Sequence, residues 1–444
     1  MKLTMDGQSE LLDNCKSVLS QNDLGGWTRP AAHLYPHQWL WDSCFTAIGL
    51  RHYNVKRAQK EIDNLFRGQW KNGMLPNTIM SPADTSGKRL WRSEVSKNAP
   101  KKASTSGITQ PPLVAEAITR VGEKMSARDK KAWYKKLAPK LIAYHEWLYR
   151  ERDPHSEGIV ILLHPWESGL DNTPSWMREL YLNEMPLWIK MIKSLRLDSF
   201  FNLVRSDTKY LPAYQRIDTI DALSLYSVAR QLRRKKYETR LMLRHGHLAI
   251  EDLGFNSMLI RANSLLVEMC EVSNFEIPAW LISRFKKAHS SLELLWSEND
   301  TQYYSRNFET FELVDEPSIM TFLPLYAGSI SKHRAKQLVE LLRSKDYWLP
   351  YPIPSVPKNS KYFDESRYWQ GPTWINTNWM IIDGLRRYGY TAEANAIEQR
   401  SLELVSQKGS SEYFSPIDGT PAGANNFSWT AALTIDMLYS SDKL

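Results

Sequence analysis

Cysteine is scarce: three residues in a chain of 444, Cys15, Cys44 and Cys270, with no CxxC pair. An odd count without close pairing argues against a disulfide framework and against a cysteine-rich zinc site. No stretch approaches the ~18 apolar residues of a membrane span. The amino-terminal MKLTMDGQSELLDNCKSVL lacks the apolar core of a secretory leader. A reduced, cytoplasmic protein without a membrane partner is the expectation. A GxSxG elbow, a phosphate-binding GxxxxGK(S/T) loop, an HExxH pair and a GxGxxG turn are all missing, so the best-marked hydrolase, nucleotide and dinucleotide chemistries lack support. Of the ten histidines, His33 and His37 stand one helical turn apart, without a third ligand. No metal and no cofactor are expected.

Alternating β-branched runs are also scarce, and Gly158–Leu163 is the best strand candidate. Helical periodicity fills the rest. It predicts helices near 8–21, 39–52, 55–70, 110–125, 129–151, 176–196, 219–235, 253–272, 277–298, 317–328, 332–344, 372–388, 391–407 and 428–440. Asn54 and Asp129 stand where N-caps fall, and Pro111-Pro112 suits a helix start. Long polar or proline-rich connectors occupy 72–109, 152–175, 299–316, 345–371 and 408–427. Connectors of that length in a compact domain often carry function. No linker divides the chain, which reads as one all-α domain over 1–444.

Aromatic residues are abundant: 17 Trp, 21 Tyr and 13 Phe. A large core accounts for part of this, and a sugar-binding cleft, whose flat rings stack on pyranose faces, for another part. The net charge is +8. The basic residues cluster in helical stretches such as Arg233-Arg234-Lys235-Lys236, which read as solvated faces and not as a nucleic-acid surface. A weak positive field also suits an anionic small molecule.

The chemistry-bearing residues collect in and beside the connectors. Tyr35-Pro-His-Gln-Trp39-Leu-Trp41-Asp42 pairs aromatic faces with a carboxylate able to accept from two sugar hydroxyls. A helix start with Asp42 as its cap explains the same residues. Trp166-Glu167-Ser-Gly-Leu-Asp171-Asn172 places two carboxylates in a tryptophan-flanked loop. Asp171 is a candidate general acid or the cap of the next helix, and Glu167 a structural or binding carboxylate. Tyr368-Trp369-Gln370-Gly371-Pro372-Thr-Trp374 enters a helix. Ser411-Glu412-Tyr413-Phe414 precedes a glycine-rich turn and Phe427-Ser428-Trp429, and Glu412 there is a candidate water-activating base or an exposed residue beside a hairpin.

Taken in order, YPHQWLWDSCF, NGMLPN (72–77), ITQPP (108–112), WESGLDNTPSW, YWQGPTWINTNW, and EYF with FSWTAAL resemble glycoside hydrolase family 63, above all its bacterial glucosylglycerate and mannosylglycerate hydrolase branch. The resemblance runs from about residue 24 to 440. It implies an (α/α)6 barrel of six inner and six outer helices with the active site at one mouth. It also implies that Asp171 is the general acid and Glu412 the general base of an inverting, metal-independent hydrolysis. Tyr35, Trp39, Trp41, Asp42, Gln110, Trp369, Gly371 and Trp374 fall at positions similar to the family's sugar pocket. Trp166, Glu167 and Trp429 join them as candidate substrate contacts. Inversion needs carboxyl groups ~6.5–9.5 Å apart. Protonation of Asp171 at neutral pH needs apolar surroundings, for which Trp166 and Trp176 are candidates.

One stretch departs from the pattern. Tyr214-Gln-Arg216-Ile-Asp218 aligns with a Tyr-x-Arg-x-Asp signature of the glycerate branch, but the Arg-Pro segment that there helps hold the glycerate carboxylate has no counterpart. Arg216 and Arg205 are candidates for an anionic aglycone, against surface or structural roles. The expected activity is hydrolysis of a small glucosyl or mannosyl conjugate, with glucosylglycerate or mannosylglycerate leading. A trehalase-like or glucan-trimming α-glucosidase is the alternative on the same barrel. A sugar isomerase or epimerase, which relies on histidine, and a non-catalytic sugar-binding protein fit less well.

Overall fold

The computed structural model describes residues 4–82, 86–183, 185–195 and 210–441. Helix Leu40–Leu50 is buried at every position, and in helix Ile375–Arg387 only Asp383, Arg386 and Arg387 reach the surface. Helices buried on nearly every side, their few polar residues included, belong inside a larger assembly. Others carry a single stripe. Val55–Leu65 buries Ala58, Glu61, Ile62 and Leu65, and Lys332–Leu342 buries Ala335, Leu338, Val339 and Leu342. The two kinds alternate along the chain. Leu40–Leu50 packs on Val114–Gly122, which packs on Leu253–Ser273, then Leu323–Ala327, Ile375–Arg387 and Ser428–Ser441, and the last returns to Leu40–Leu50. Met5–Asn22, Val55–Leu65, Ala127–Glu151, Ala279–Ser291 and Thr391–Lys408 pack against members of that series. The chain is helix-rich in the manner of an α/α barrel.

A buried polar network joins three of the enclosed helices. Asp436 accepts from Arg51 Nη2 at 2.8 Å, His52 Nε2 at 2.7 Å and Trp379 Nε1 at 2.9 Å. Burial alone would raise its pKa. His52, Arg51 and Arg120 outweigh burial and hold the carboxyl below the usual range.

Several sequence expectations need correction. Gly158–Leu163 is no strand: only Leu162 forms a bridge, to Ile250. Its apolar residues are core-facing loop. Asn54 caps its helix as expected, but Asp129 lies inside Ala127–Glu151, and Ser126 is the cap, accepting from Asp129 N. The predicted 176–196 helix is two, Pro174–Asn183 and Leu187–Ser194, with Pro186 at the cap of the second. The 317–328 helix begins as a tighter turn at Ile319–Phe322. The connectors carry short elements of their own: helices Ser86–Trp91 and Pro165–Ser168, and paired strands at 38–39 with 78–79 and 413–414 with 421–422.

Candidate active site

Glu412 sits one residue before the antiparallel pair Tyr413–Phe414 and Pro421–Ala422. Phe414 exchanges both backbone hydrogen bonds with Thr373 (2.8 and 3.0 Å), tying this hairpin to the entry of helix Ile375–Arg387. The Glu412 amide donates to Ala424 O at 2.9 Å, and the Ala424 amide donates to Glu412 Oε2 at 2.8 Å. Between them lies Gly423, at φ 71°, where a Cβ would stand 2.6 Å from Oε2. Only glycine allows both that backbone turn and the carboxylate's position. Tyr35 OH donates to Oε1 at 2.7 Å, and Arg216 Nη1 lies 3.6 Å from the same oxygen while donating to Tyr35 OH at 2.8 Å. The Arg216 guanidinium also covers the Tyr368 ring at 4.4 Å. Burial lifts the Glu412 pKa, and Arg216, the Ala424 amide and the Tyr35 hydroxyl pull it back.

Asp171 follows a different device. Its loop begins at His164, whose Nδ1 accepts from Trp166 N at 3.0 Å while Nε2 faces Leu225 O at 3.0 Å. That pattern requires a neutral ring protonated on Nε2, and burial lowers its pKa to about 3. Glu167 forms a two-pronged pair with Arg152 (2.9 and 2.7 Å) and accepts from Leu163 N at 2.7 Å and Thr109 N at 3.3 Å. Gly169, at φ 76°, ends the short helix, and a Cβ there would stand 2.7 Å from the Trp41 ring. Asn172 accepts from Trp369 N at 3.0 Å through its side chain and from Gln370 Nε2 at 2.9 Å through its carbonyl, joining the loop to the 364–374 connector. Asp171 is thereby held half-buried. Burial raises its pKa to about 7; Arg216 lowers it, Glu412 raises it, and Tyr368 OH, 3.5 Å from Oδ2, lowers it.

Tyr368 itself has φ 35°, a left-handed conformation that bulky residues rarely adopt. Trp374 Nε1 holds its carbonyl at 3.1 Å. Asp42 lies in the first turn of Leu40–Leu50. Burial raises its pKa well above the ordinary range, its own amide opposes this, and Glu412 and Asp171 add to it.

Tyr35, Trp39, Trp41, Asp42, Gln110, Trp166, Asp171, Arg216, Glu412 and Trp429 all line one cavity of about 710 Å³, a volume typical of small-molecule sites. Gln110 Oε1 accepts from Trp41 N at 3.3 Å. Four sequence-predicted contacts stand behind the cavity wall. Glu167 is fully buried in its pair with Arg152. Trp369 and Trp374 stack on each other at 3.7 Å, fully buried, with Tyr368 between them and the cavity. Gly371 donates its amide to Ser355 Oγ at 2.8 Å. Trp176 is buried elsewhere, donating to Asp252 at 2.9 Å. Arg205 lies outside the described residues. The sequence reading missed Tyr368, Trp91, Tyr226, Phe427 and Arg89 as cavity residues. Tyr368 stood inside a motif and was passed over for its tryptophan neighbours. Trp91 and Arg89 belong to a connector with no local signal.

A cavity floored by carboxylates, with tryptophan and tyrosine walls in a helix-rich α/α fold, defines the class of glycoside hydrolases. Residues 35–430 match the family model of the mannosylglycerate hydrolase MGH1-like glycoside hydrolase domain, and the chain belongs to that family, within glycoside hydrolase family 63. It is an enzyme of the glycoside hydrolase class. The mannosylglycerate hydrolase of Thermus thermophilus is 35% identical over 94% of this chain and 98% of its own. The glucosylglycerate hydrolase of Mycolicibacterium hassiacum is 30% identical over 97% and 98%. A crystal structure of the family 63 mannosylglycerate hydrolase from Thermus thermophilus in complex with Tris and D-glycerate superposes with a TM-score of 0.86 at 34% identity, covering 96% of this chain and 99% of that one.

Proposed function

We propose that this protein is an inverting α-glycosidase that hydrolyses a small mannosyl or glucosyl conjugate of glycerate, with Asp171 as general acid and Glu412 as general base, in a single (α/α)6 domain spanning the chain. The observation that carries the proposal is the contrast between the two carboxylates of one cavity. Asp171, brought to about 7 by burial, is substantially protonated at neutral pH. Burial raises the Glu412 pKa as well, but there Arg216, the Ala424 amide and the Tyr35 hydroxyl all oppose the rise and hold the carboxylate as an acceptor. Two buried carboxyl groups that differ in the partners opposing burial can divide acid and base roles.

In this reading Asp171 gives its proton to the glycosidic oxygen as the anomeric C–O bond breaks. Glu412 removes a proton from a water that attacks the opposite face of the ring. Asp42 and the rings of Trp39, Trp41 and Trp429 hold the sugar. The cyclic packing order of the enclosed helices supports the six-fold barrel, and the matches to hydrolases of both mannosylglycerate and glucosylglycerate support the substrate class.

Hydrolysis of a panel of α-glucosides and α-mannosides, including both glycerate conjugates and trehalose, tests the substrate. NMR of the first-formed anomer tests the stereochemistry. Asp171→Asn and Glu412→Gln are each expected to lose at least a thousand-fold in kcat. Net retention, or a variant with near-wild-type turnover, would refute the assignment.

A further inference from the structure

The sugar end of the cavity is poor ground for an anionic leaving group. Asp42, Asp171 and Glu412 gather there, and the cation among them, Arg216, is committed. Its Nη1 donates to Tyr35 OH, it lies 3.6 Å from Glu412, and its face covers Tyr368. Redirecting it to a substrate carboxylate would strip Glu412 of the charge that favours its ionised form. A negatively charged aglycone therefore needs a second cation, on the side where Asp171 delivers its proton.

Among the described residues the cavity wall holds one other arginine, Arg89. It lies on the short helix Ser86–Trp91, and no side-chain hydrogen bond or ion pair engages it among the described residues. Its backbone is anchored. Arg233 Nη1 donates to Arg89 O at 3.0 Å and to Leu90 O at 2.9 Å, and Tyr237 OH donates to Trp91 O. Trp91 packs edge-on against Trp166 at 5.8 Å, and Trp166 opens the loop that carries Asp171. Tyr226 meets Trp166 at 6.1 Å from another side. A guanidinium with no side-chain partner among the described residues, on a clamped backbone and next to the ring beside the acid loop, is placed to receive a carboxylate.

We propose that Arg89 is a specificity-determining residue that binds the carboxylate of the leaving group, so that the enzyme's selectivity for anionic aglycones rests on Arg89, with Arg216 kept for the base. This inference rests on the proposed glycerate-conjugate activity. A charge-assisted hydrogen bond at a partly exposed rim is worth about ten- to a hundred-fold in binding.

The test compares kcat/KM for the glycerate conjugate and for the matching glycerol glycoside, in which a neutral hydroxymethyl group replaces the carboxylate, in wild type, Arg89→Ala and Arg89→Lys. In Arg89→Ala the anionic-to-neutral ratio should fall about ten- to a hundred-fold, mainly through KM for the glycerate conjugate. Arg89→Lys should recover a large part of it. Raising ionic strength should raise that KM in the wild type and far less in Arg89→Ala. A wild type that favours the glycerate conjugate, together with an Arg89→Ala that keeps the same ratio, would overturn the assignment of Arg89 alone. A wild type with no preference for the charged aglycone would overturn the substrate class as well.

Discussion

Replacing Tyr35 by phenylalanine removes the hydroxyl that donates to Glu412 Oε1 at 2.7 Å and little else in volume. A hydrogen bond to an ionised acceptor contributes about 1.5–3 kcal/mol, equivalent to roughly one to two pKa units at ~1.36 kcal/mol per unit. Part of this is recoverable. Arg216 Nη1, which loses its 2.8 Å contact with the same hydroxyl, already lies 3.6 Å from Oε1 and can close on it. The net expectation is a rise of about one unit in the Glu412 pKa. The base must be ionised, so the acidic limb of the kcat/KM profile moves up by about one unit. The alkaline limb, set by loss of the Asp171 proton near pH 7, stays close to its place. Activity is squeezed into a narrower window, and its maximum falls. The assay is the pH dependence of kcat/KM between pH 4 and 9 for wild type and Tyr35→Phe, read by the position of each limb so that a change in sugar affinity does not confuse the result. An acidic limb that stays put or moves down would refute the claim that Tyr35 favours the ionised base. A wild type without an alkaline limb between about pH 6 and 8 would refute the role of Asp171.

Gly423→Ala should lower kcat by a hundred-fold or more while the circular dichroism spectrum is kept, because its Cβ falls 2.6 Å from Glu412 Oε2 at a φ of 71°; turnover near wild type would show that the base tolerates displacement. Glu167→Gln leaves the buried Arg152 without its anion, and denaturant unfolding should show a loss of about 3–5 kcal/mol; a loss below 1 kcal/mol would remove the pair from the support of the acid loop. Asp171→Asn, by contrast, should stabilise the protein at neutral pH. A folded pKa of about 7 against ~3.9 unfolded means the carboxyl favours the folded state fully below pH ~3.9 and loses that advantage as pH rises through 7. The asparagine variant should therefore gain roughly 2–4 kcal/mol over wild type at pH 8 and nothing near pH 4, as thermal melts at both values would show; equal melting temperatures at pH 8 would mean the carboxyl is not destabilised by burial.

The helical class and the order of the functional segments were contained in the sequence. The stripe in Val55–Leu65 and the mostly apolar sequence of Leu40–Leu50 are local patterns, written in consecutive residues, and both segments read correctly as helices without coordinates. Gly158–Leu163 misled because a short apolar run serves a buried loop as well as a strand. The candidate carboxylates were equally visible: Asp171 and Glu412 stood in connectors whose composition marked them.

Tertiary structure decided what each of those residues meets. Tyr35 and Glu412 are 377 positions apart, and their 2.7 Å contact exists only because the helices close on themselves. Glu167 and Asp171 share one loop and one charge. The first is turned to Arg152 behind the wall and the second into the cavity, a division no local pattern encodes. The same holds for the two arginines. Arg216 stood in a recognisable signature and Arg89 in none, yet packing commits Arg216 to the base and leaves Arg89 at the cavity without a side-chain partner among the described residues. Charge and residue type are properties of the chain. Desolvation and partner distance, which set a carboxyl at about 7, arise only when distant segments exclude water together.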